Sequence, residues 1–184
     1  MIAGFSPYPT LVTERLVLRK LAITDLSEIF SIRSDQEVNQ FIERPRPRSL
    51  TEAEEFIINI HKGIAEERCL YWAITLKGLS KLIGTICLWN FSSQYIQAEL
   101  GYELLPAYQG RGYIYEATQA VIQYGFVNIS LNRIEAYTHK KNLRSIQLLL
   151  KNGFTLEQHK IDDEHPANLI FALTNMDSQN SRGS

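Results

Sequence analysis

The sequence is poor in cysteine, in excess charge and in long apolar runs, and each deficit excludes a class of protein. Its 184 residues contain two cysteines, Cys69 and Cys87, which are too isolated for a disulfide framework or a zinc site. The 19 Lys and Arg residues nearly balance 20 Asp and Glu, for a formal charge of −1. This balance argues against nucleic acid or an anionic membrane as partner. No apolar run approaches the roughly 20 residues of a membrane span. The 45% of hydrophobic residues are enough to form a core, and together these features predict a soluble, cytoplasmic, globular protein.

The chain is predicted to form one domain with a short extension at each end. Residues 1–10 contain Pro7 and Pro9 and are expected to form an extended arm. Residues 175–184 are mostly polar and are expected to form a frayed tail. No linker-like stretch interrupts residues 11–174, which are therefore expected to fold as a single unit.

The order of apolar patterns predicts an α/β (α+β) domain. Alternating apolar residues indicate strands, and apolar residues three and four positions apart indicate helices. The resulting order, β-α-α-β-β-β-α-β-α-β-β, is typical of a central, mixed but mostly antiparallel sheet flanked by helices. The predicted strands cover residues 15–21, 70–76, 81–89, 98–105, 133–137, 154–160 and 168–173, and helices are expected near 24–33, from a capping box at 51–54, after 112, and over 142–151.

The segment from residue 104 to 117 joins a predicted strand to a predicted helix through Gly110-Arg111-Gly112. The first N–H groups of a helix lack intrahelical partners, and the helix dipole favours negative charge there. Glycine lets a phosphate approach the backbone closely. The segment therefore favours a pyrophosphate site, although an ordinary tight turn would have the same pattern. Rossmann and P-loop motifs are both incomplete in this sequence.

At this point the residues resemble a known family. The segment Gln109-Gly-Arg-Gly-Tyr-Ile114 resembles the Q/R-x-x-G-x-G/A signature of the GNAT N-acetyltransferases, except that Ile114 stands where Gly or Ala is usual. Segments 13–19, 98–102 and 142–154 resemble the RimJ/RimL-like branch of that family, in the same order. The resemblance implies the GNAT fold, whose sheet is splayed at the cofactor site. It also implies transfer of an acetyl group from acetyl-coenzyme A to a primary amine by direct attack on the thioester, without a metal.

The resemblance also implies how acetyl-coenzyme A is bound. Backbone groups of the glycine-containing loop would hold the pyrophosphate, and Leu104 and Leu105 would pair with the pantetheine arm as a strand edge pairs with a peptide. Asn142 would hydrogen-bond the same arm, and it is equally suited to be a helix N-cap. The loop residues expected to bind the cofactor are Gln109, Gly110, Arg111, Gly112, Tyr113 and Ile114.

Two residues are candidates for the chemistry. Glu99 occupies the place of the central-strand glutamate that acts as base in histone-type members of the superfamily, with Glu103 on the same strand face as the second choice. Ser145 is the candidate acid or hydrogen-bond donor to the sulfur, because the family's usual tyrosine, four residues later, is Leu149 here. Each of these polar residues would also be unremarkable in a purely structural role.

The acceptor is constrained only weakly by the sequence. The acidic run Asp162-Asp163-Glu164 would attract a cationic amine at the acceptor entrance, or it is simply a solvated turn, and His139 is a further candidate contact. The branch resemblance points to a protein N-terminal α-amine, with a small amine or an aminoglycoside as alternatives. A non-catalytic acyl-coenzyme A-binding module is the competing class, and the protein is expected to be a monomer or homodimer.

Overall fold

The computed structural model describes residues 6–94 and 96–175 and confirms the predicted mixed α/β architecture. Within these residues, eight strands form one sheet, and four α-helices cover its two faces. The strands are β1 (Leu11–Val12), β2 (Leu16–Lys20), β3 (Cys69–Leu76), β4 (Leu82–Trp89), β5 (Gln97–Leu104), β6 (Arg133–His139), β7 (Thr155–Leu156) and β8 (Asn168–Thr174), and the helices are α1 (Leu26–Ser34), α2 (Leu50–Ala65), α3 (Tyr113–Val127) and α4 (Leu143–Lys151).

The sheet opens at its centre. The strand order is β1-β2-β3-β4-β5-β6-β8-β7, and every neighbouring pair is antiparallel except β5 and β6. These two parallel strands pair only over residues 97–99 and 133–135. Beyond that point β5 continues beside β4, while β6 continues beside β8. The two strands therefore diverge, and a gap forms between residues 100–104 and 136–139.

Each face of the sheet has its own apolar cluster. Trp72 and Ala73 are adjacent on β3 and are both fully buried, yet they belong to different clusters because successive strand residues point to opposite faces. Helices α3 and α4 cover the face of Trp72, and helices α1 and α2 cover the face of Ala73. The gap between β5 and β6 thus opens between two packed layers. Within the described part of the chain, no helix is long and apolar enough to cross a membrane.

The predicted strand over residues 154–160 was wrong in extent, since only Thr155–Leu156 is a strand. The chain turns after Leu156, where the Lys160 N–H donates to the Glu157 carbonyl at 3.4 Å. The Lys160 ammonium pairs with buried Glu135 of β6 at 2.5 Å.

Helix α2 also begins earlier than the capping box at residues 51–54 predicts. Its cap is Ser49, whose hydroxyl accepts a hydrogen bond from the Glu52 N–H at 3.3 Å. The N-cap of α2 is therefore Ser49, two residues before Thr51.

Part of the predicted N-terminal arm is packed on the sheet. The Tyr8 phenol donates to the Tyr71 carbonyl at 2.8 Å and accepts from the Tyr71 N–H at 3.1 Å. The Trp72 indole N–H donates to the Pro9 carbonyl at 2.8 Å. These bonds attach residues 8 and 9 to β3. Residues 1–5 of the predicted arm and 176–184 of the predicted tail lie outside the described residues.

Candidate active site

A cavity of about 1050 Å³ begins at the gap between β5 and β6. Its floor is formed by β4 and β5, and its walls by the α1–α2 connection, the end of β6 and the loop before β8. Among residues 6–94 and 96–175, no group of three or more His, Cys, Asp and Glu could hold a metal ion. The cavity brings together seven residues singled out from the sequence: Glu99, Glu103, His139, Asn142, Ser145, Asp162 and Glu164.

Glu99 lies half-buried on the cavity floor, where its carboxylate accepts a hydrogen bond from Asn90. The Asn90 side-chain amide donates to Glu99 Oε1 at 2.5 Å. Asn90 follows β4 with a φ of 47°, a left-handed conformation that asparagine tolerates better than most residues. Burial raises the pKa of Glu99, and the Asn90 hydrogen bond opposes that rise. A carboxylate with a raised pKa in a cavity is suited to accept a proton near neutral pH.

A second carboxylate lies across the strand pair from Glu99. Glu135 on β6 is paired in register with Glu99 and is buried. Burial alone would raise its pKa, but hydrogen bonds from Lys160 and Arg133, at 2.5 and 2.9 Å, lower the pKa of Glu135 overall. Its negative charge adds to the rise in the pKa of Glu99. The pKa values of the two carboxylates are therefore shifted in opposite directions: Glu135 stays charged, whereas Glu99 binds a proton more readily.

Glu103 is engaged in an ion pair and is a poor candidate base. Arg44 Nη1 donates to Glu103 Oε1, and Arg44 Nη2 donates to Oε2 at 3.0 Å. Arg44 Nε donates to Asn39 Oδ1 at 2.8 Å, and Asn39 is itself buried. This two-point contact fixes the connection between α1 and α2 to the sheet. Of the two predicted glutamates, only Glu99 forms no ion pair with the described residues.

Ser145 has a neighbour that the sequence did not reveal. The Tyr102 hydroxyl lies 2.7 Å from Ser145 Oγ. The Ser145 N–H donates to Asn142 Oδ1 at 3.2 Å, so Asn142 caps α4. Burial raises the pKa of Tyr102 to about 12, even though its bond to Ser145 acts in the opposite direction. The family's tyrosine position, Leu149, is fully buried, whereas Tyr102 brings a phenol to the same serine from β5.

The strand that leads into the glycine loop presents one of its two predicted leucines to the gap. The Leu105 N–H donates to the Ile83 carbonyl at 3.0 Å, so this group points toward β4. The backbone N–H and C=O groups of successive residues point in opposite directions along an antiparallel ladder. The backbone N–H and C=O of Leu104 therefore point toward the gap. Its carbonyl accepts a hydrogen bond from Gln109 Nε2 at 3.0 Å. Gln109 Oε1 accepts from Arg144 at 2.7 Å, which ties the loop to α4.

The glycine loop presents free backbone donors. Gly110 and Gly112 have φ angles of 74° and 77°, which favour glycine. The first N–H at the start of α3 with a carbonyl partner among the described residues is that of Glu116, which bonds to Gly112 at 3.1 Å. A Cβ at Gly110 would meet nothing within 4 Å, so the loop is open on that side. Ile114 packs against the core, and its larger side chain leaves the donors accessible. The loop therefore fits a pyrophosphate.

Arg15 supports the loop from the other side. Its Nη1 donates to the Arg111 carbonyl at 3.0 Å, and its Nε pairs with Glu116 at 2.7 Å. The guanidinium also lies over the Tyr113 ring, 4.7 Å from the centroid. Glu116 accepts a further bond from Thr13 at 2.6 Å. The turn between β1 and β2 thus fixes the loop backbone, a role that the alternating pattern of residues 15–21 does not reveal.

The acidic run is divided by the structure. Asp162 accepts bonds from the His165 N–H at 3.1 Å and from Asn168 Nδ2 at 2.8 Å, so its carboxylate organises the loop. Asp163 and Glu164 are both exposed, but only Glu164 lines the cavity. His139 lines the cavity and stacks on Phe41 with ring centroids 5.4 Å apart. Only one of the three acidic side chains thus faces the cavity without a structural bond.

Comparison with known proteins identifies the family. Residues 15–155 match the model of the acetyltransferase (GNAT) domain. The chain is 33% identical over 150 residues to the uncharacterised N-acetyltransferase YoaA of Bacillus subtilis (strain 168), covering 82% of this chain and 85% of that protein. It is 36% identical over 77 residues to the ribosomal-protein-serine acetyltransferase of Escherichia coli (strain K12), covering 42% and 43% of the two chains.

A solved structure shares the fold. The crystal structure of an acetyltransferase (GNAT family) from Bacillus anthracis superposes with a TM-score of 0.76 at 24% identity. The match covers 90% of this chain and 98% of that one. This chain therefore shares its overall fold with a protein of that family.

Proposed function

The chain belongs to the GNAT acetyltransferase family and is an acetyl-coenzyme A-dependent N-acetyltransferase, and we propose that its active site is the cavity between β5 and β6. One observation carries this proposal: Glu99, Tyr102 and Ser145 line one cavity at the gap in the sheet, and the glycine loop follows the same strand β5 and is tied to α4 by the 2.7 Å bond from Arg144 to Gln109. Acetyl-coenzyme A supplies an acetyl group activated as a thioester. The residues of the chain bind it, position the amine and move protons.

The glycine loop and the edge of β5 bind the donor. The free N–H groups at the start of α3 receive the pyrophosphate, helped by the positive end of the helix dipole. Backbone groups of Leu104 that face the gap pair with the pantetheine arm. The Asn142 carbonyl oxygen is used as the α4 cap, so its side-chain NH₂ is the group left for that arm.

Glu99 acts as the base for the amine. Most amines are protonated at neutral pH, so a proton must leave before attack. Glu99 takes that proton directly or through a water molecule, since burial raises its pKa toward the working range. Asn90 holds its carboxylate in place.

Ser145 donates a hydrogen bond to the departing sulfur. It lies in the first turn of α4, where the helix dipole favours negative charge. A serine hydroxyl alone is a weak acid, and the Tyr102 phenol supplies a second proton donor in contact with it. The pair takes the place of the single tyrosine expected in many relatives.

We infer that the acceptor is a free α-amine at the N-terminus of a peptide or protein. Support comes from the 36% identity over 77 residues to the ribosomal-protein-serine acetyltransferase. Asp162 and Glu164 of the acidic loop before β8 line the cavity, and their negative charge favours a cationic amine. Small amines and aminoglycosides are the alternatives.

Steady-state measurement of thiol release from acetyl-coenzyme A tests this function. The acceptor panel contains peptides that differ in their first residue, polyamines and aminoglycosides. We expect the highest kcat/KM for a peptide α-amine, and loss of that activity in an N-terminally blocked peptide of the same sequence. A higher kcat/KM for a polyamine or an aminoglycoside would contradict the peptide acceptor. Binding of acetyl-coenzyme A without amine-dependent thiol release would favour the non-catalytic module.

We place the reaction in the cytoplasm and assign it to a single domain over residues 11–174. Cys69 and Cys87 are both free thiols, as a reducing compartment requires. The contacts of Tyr8 and Pro9 with β3 favour a domain that begins a few residues earlier than the apolar pattern predicts.

A further inference from the structure

A guanidinium without an ionic partner lines the cavity. Arg33, in the last turn of α1, lies over the Phe56 ring with its Cζ 3.8 Å from the centroid. Within residues 6–94 and 96–175, no carboxylate pairs with Arg33 and no hydrogen bond engages it. The side chain is half-buried, and burial, followed by the nearby charge of Arg44, lowers its pKa. A partly desolvated cation of this kind is costly unless something compensates its charge.

The neighbouring cation shows the opposite arrangement. Arg44 is occupied on three nitrogens, two by Glu103 and one by Asn39. Both oxygens of Glu103 are thus used by Arg44. The carboxylate that lies near Arg33 is therefore already neutralised by another cation. Arg33 keeps five N–H donors that the described residues do not use.

The cavity separates Arg33 from the proposed base. Arg33 lies near Glu103, whose negative charge opposes the lowering of the Arg33 pKa. Glu99 lies four residues back along β5, a separation of about 13 Å at the usual rise of a strand. Gly101, which lies between them on β5, also lines the cavity. The floor is a slot with a base toward one end and a free cation toward the other.

We propose that Arg33 is a carboxylate-binding subsite and that the acceptor amine carries a carboxylate. The planar fork of a guanidinium matches the two oxygens of a carboxylate, and Phe56 holds that fork in a fixed plane. The inference rests on the proposed function, because it names the substrate class of the same cavity. The carboxylate belongs either to a small amino acid or to an acidic side chain near a peptide N-terminus.

Matched acceptor pairs test the subsite and distinguish the two sources. 6-Aminohexanoate is compared with hexylamine, and the peptide amide Ala-Glu-Ala is compared with Ala-Gln-Ala. Binding to the enzyme saturated with coenzyme A is measured by calorimetry, which needs no turnover, and acetylation is measured separately. We expect the acidic member of at least one pair to bind about 10- to 100-fold more tightly, as suits a charge-assisted hydrogen bond.

Substitutions at the subsite supply the controls. Arg33→Gln is expected to remove the preference while leaving the neutral acceptors unchanged, and Arg33→Lys to retain part of it. Arg46→Gln changes the same charge on the exposed α1–α2 connection and is expected to have no effect. Equal binding within both pairs, or equal weakening of acidic and neutral acceptors by Arg33→Gln, would overturn the subsite. A retained binding preference without acetylation of any acceptor would instead contradict the proposed function.

Discussion

The hydroxyls of Tyr102 and Ser145 lie 2.7 Å apart, across the contact between β5 and the first turn of α4. Burial raises the pKa of Tyr102 to about 12, so the phenol keeps its proton throughout the neutral range. It can therefore donate to Ser145 while Ser145 donates to the leaving sulfur. The arrangement supplies, from a different strand, the phenol that is missing at Leu149.

Tyr102→Phe is expected to lower kcat about tenfold with little change in the KM for acetyl-coenzyme A. The substitution keeps the ring in the core and removes only the hydroxyl that contacts Ser145. Ser145→Ala should cost a similar factor, and the double variant little more than either single one, because the two hydroxyls act as a unit. Steady-state kinetics of the three variants provide the measurement. Fully multiplicative losses would show that the two hydroxyls act independently.

Asn90→Gly is expected to shift the acidic limb of the kcat/KM profile to higher pH. The Asn90 amide favours the charged form of Glu99 and so lowers its pKa. Without that amide the pKa of Glu99 rises further, and the base stays protonated up to a higher pH. Glycine is the appropriate replacement because residue 90 has a φ of 47°. An unshifted pH profile in Asn90→Gly would show that Asn90 does not influence the pKa of the catalytic base.

Glu99→Gln should lower kcat by on the order of 10²-fold, because the variant has no carboxylate to accept the proton of the amine. Steady-state kinetics provide the measurement.

Gly110→Ala is expected to raise the KM for acetyl-coenzyme A about tenfold. The new methyl group would occupy the open side of the loop, where nothing lies within 4 Å, and the residue must keep a φ of 74°. Strain of this kind costs roughly 1 kcal/mol of folding stability. Gly78→Ala in the turn between β3 and β4 is a matched control, with a φ of 79° and equally open space. Both variants should lose similar stability in thermal unfolding, and only Gly110→Ala should weaken cofactor binding. Equal effects on binding would contradict the loop assignment.

Local patterns in the sequence were sufficient to predict most elements of this fold. The turn at Gly78 and the strands on either side were predicted because alternation and glycine act over a few residues. The end of β7 was not: Lys160, which was predicted to belong to that strand, lies outside it and pairs with Glu135, 25 residues away in sequence. Periodicity carries no information about such a pair.

The same limit applies to the site. Resemblance to a family predicts roles for the glycine loop, Glu99 and Ser145, because each belongs to a short motif. Tyr102 and Ser145 are separated by 43 residues, and Arg44 and Glu103 by 59. Their contacts depend on strand register and on an irregular connection, neither of which is encoded in a local pattern.

Glu164→Gln is expected to raise the acceptor KM about threefold at low salt while leaving the KM for acetyl-coenzyme A unchanged. Glu164 lines the cavity, and its charge acts on a cationic acceptor both at long range and at close quarters. Asp163→Asn removes the same charge from the preceding position, which lies outside the cavity, so this variant reports only the long-range electrostatic effect on the acceptor KM. Salt screens that effect, because the Debye length falls from about 10 Å at 0.1 M to about 3 Å at 1 M. Acceptor kinetics at low and high salt should therefore show that the effect of Asp163→Asn disappears, whereas part of the effect of Glu164→Gln persists. If the acceptor KM of the two variants responds identically to salt, the acidic run acts only through long-range electrostatic attraction. If the acceptor KM is unaltered in both variants, the acidic run has no role in acceptor binding.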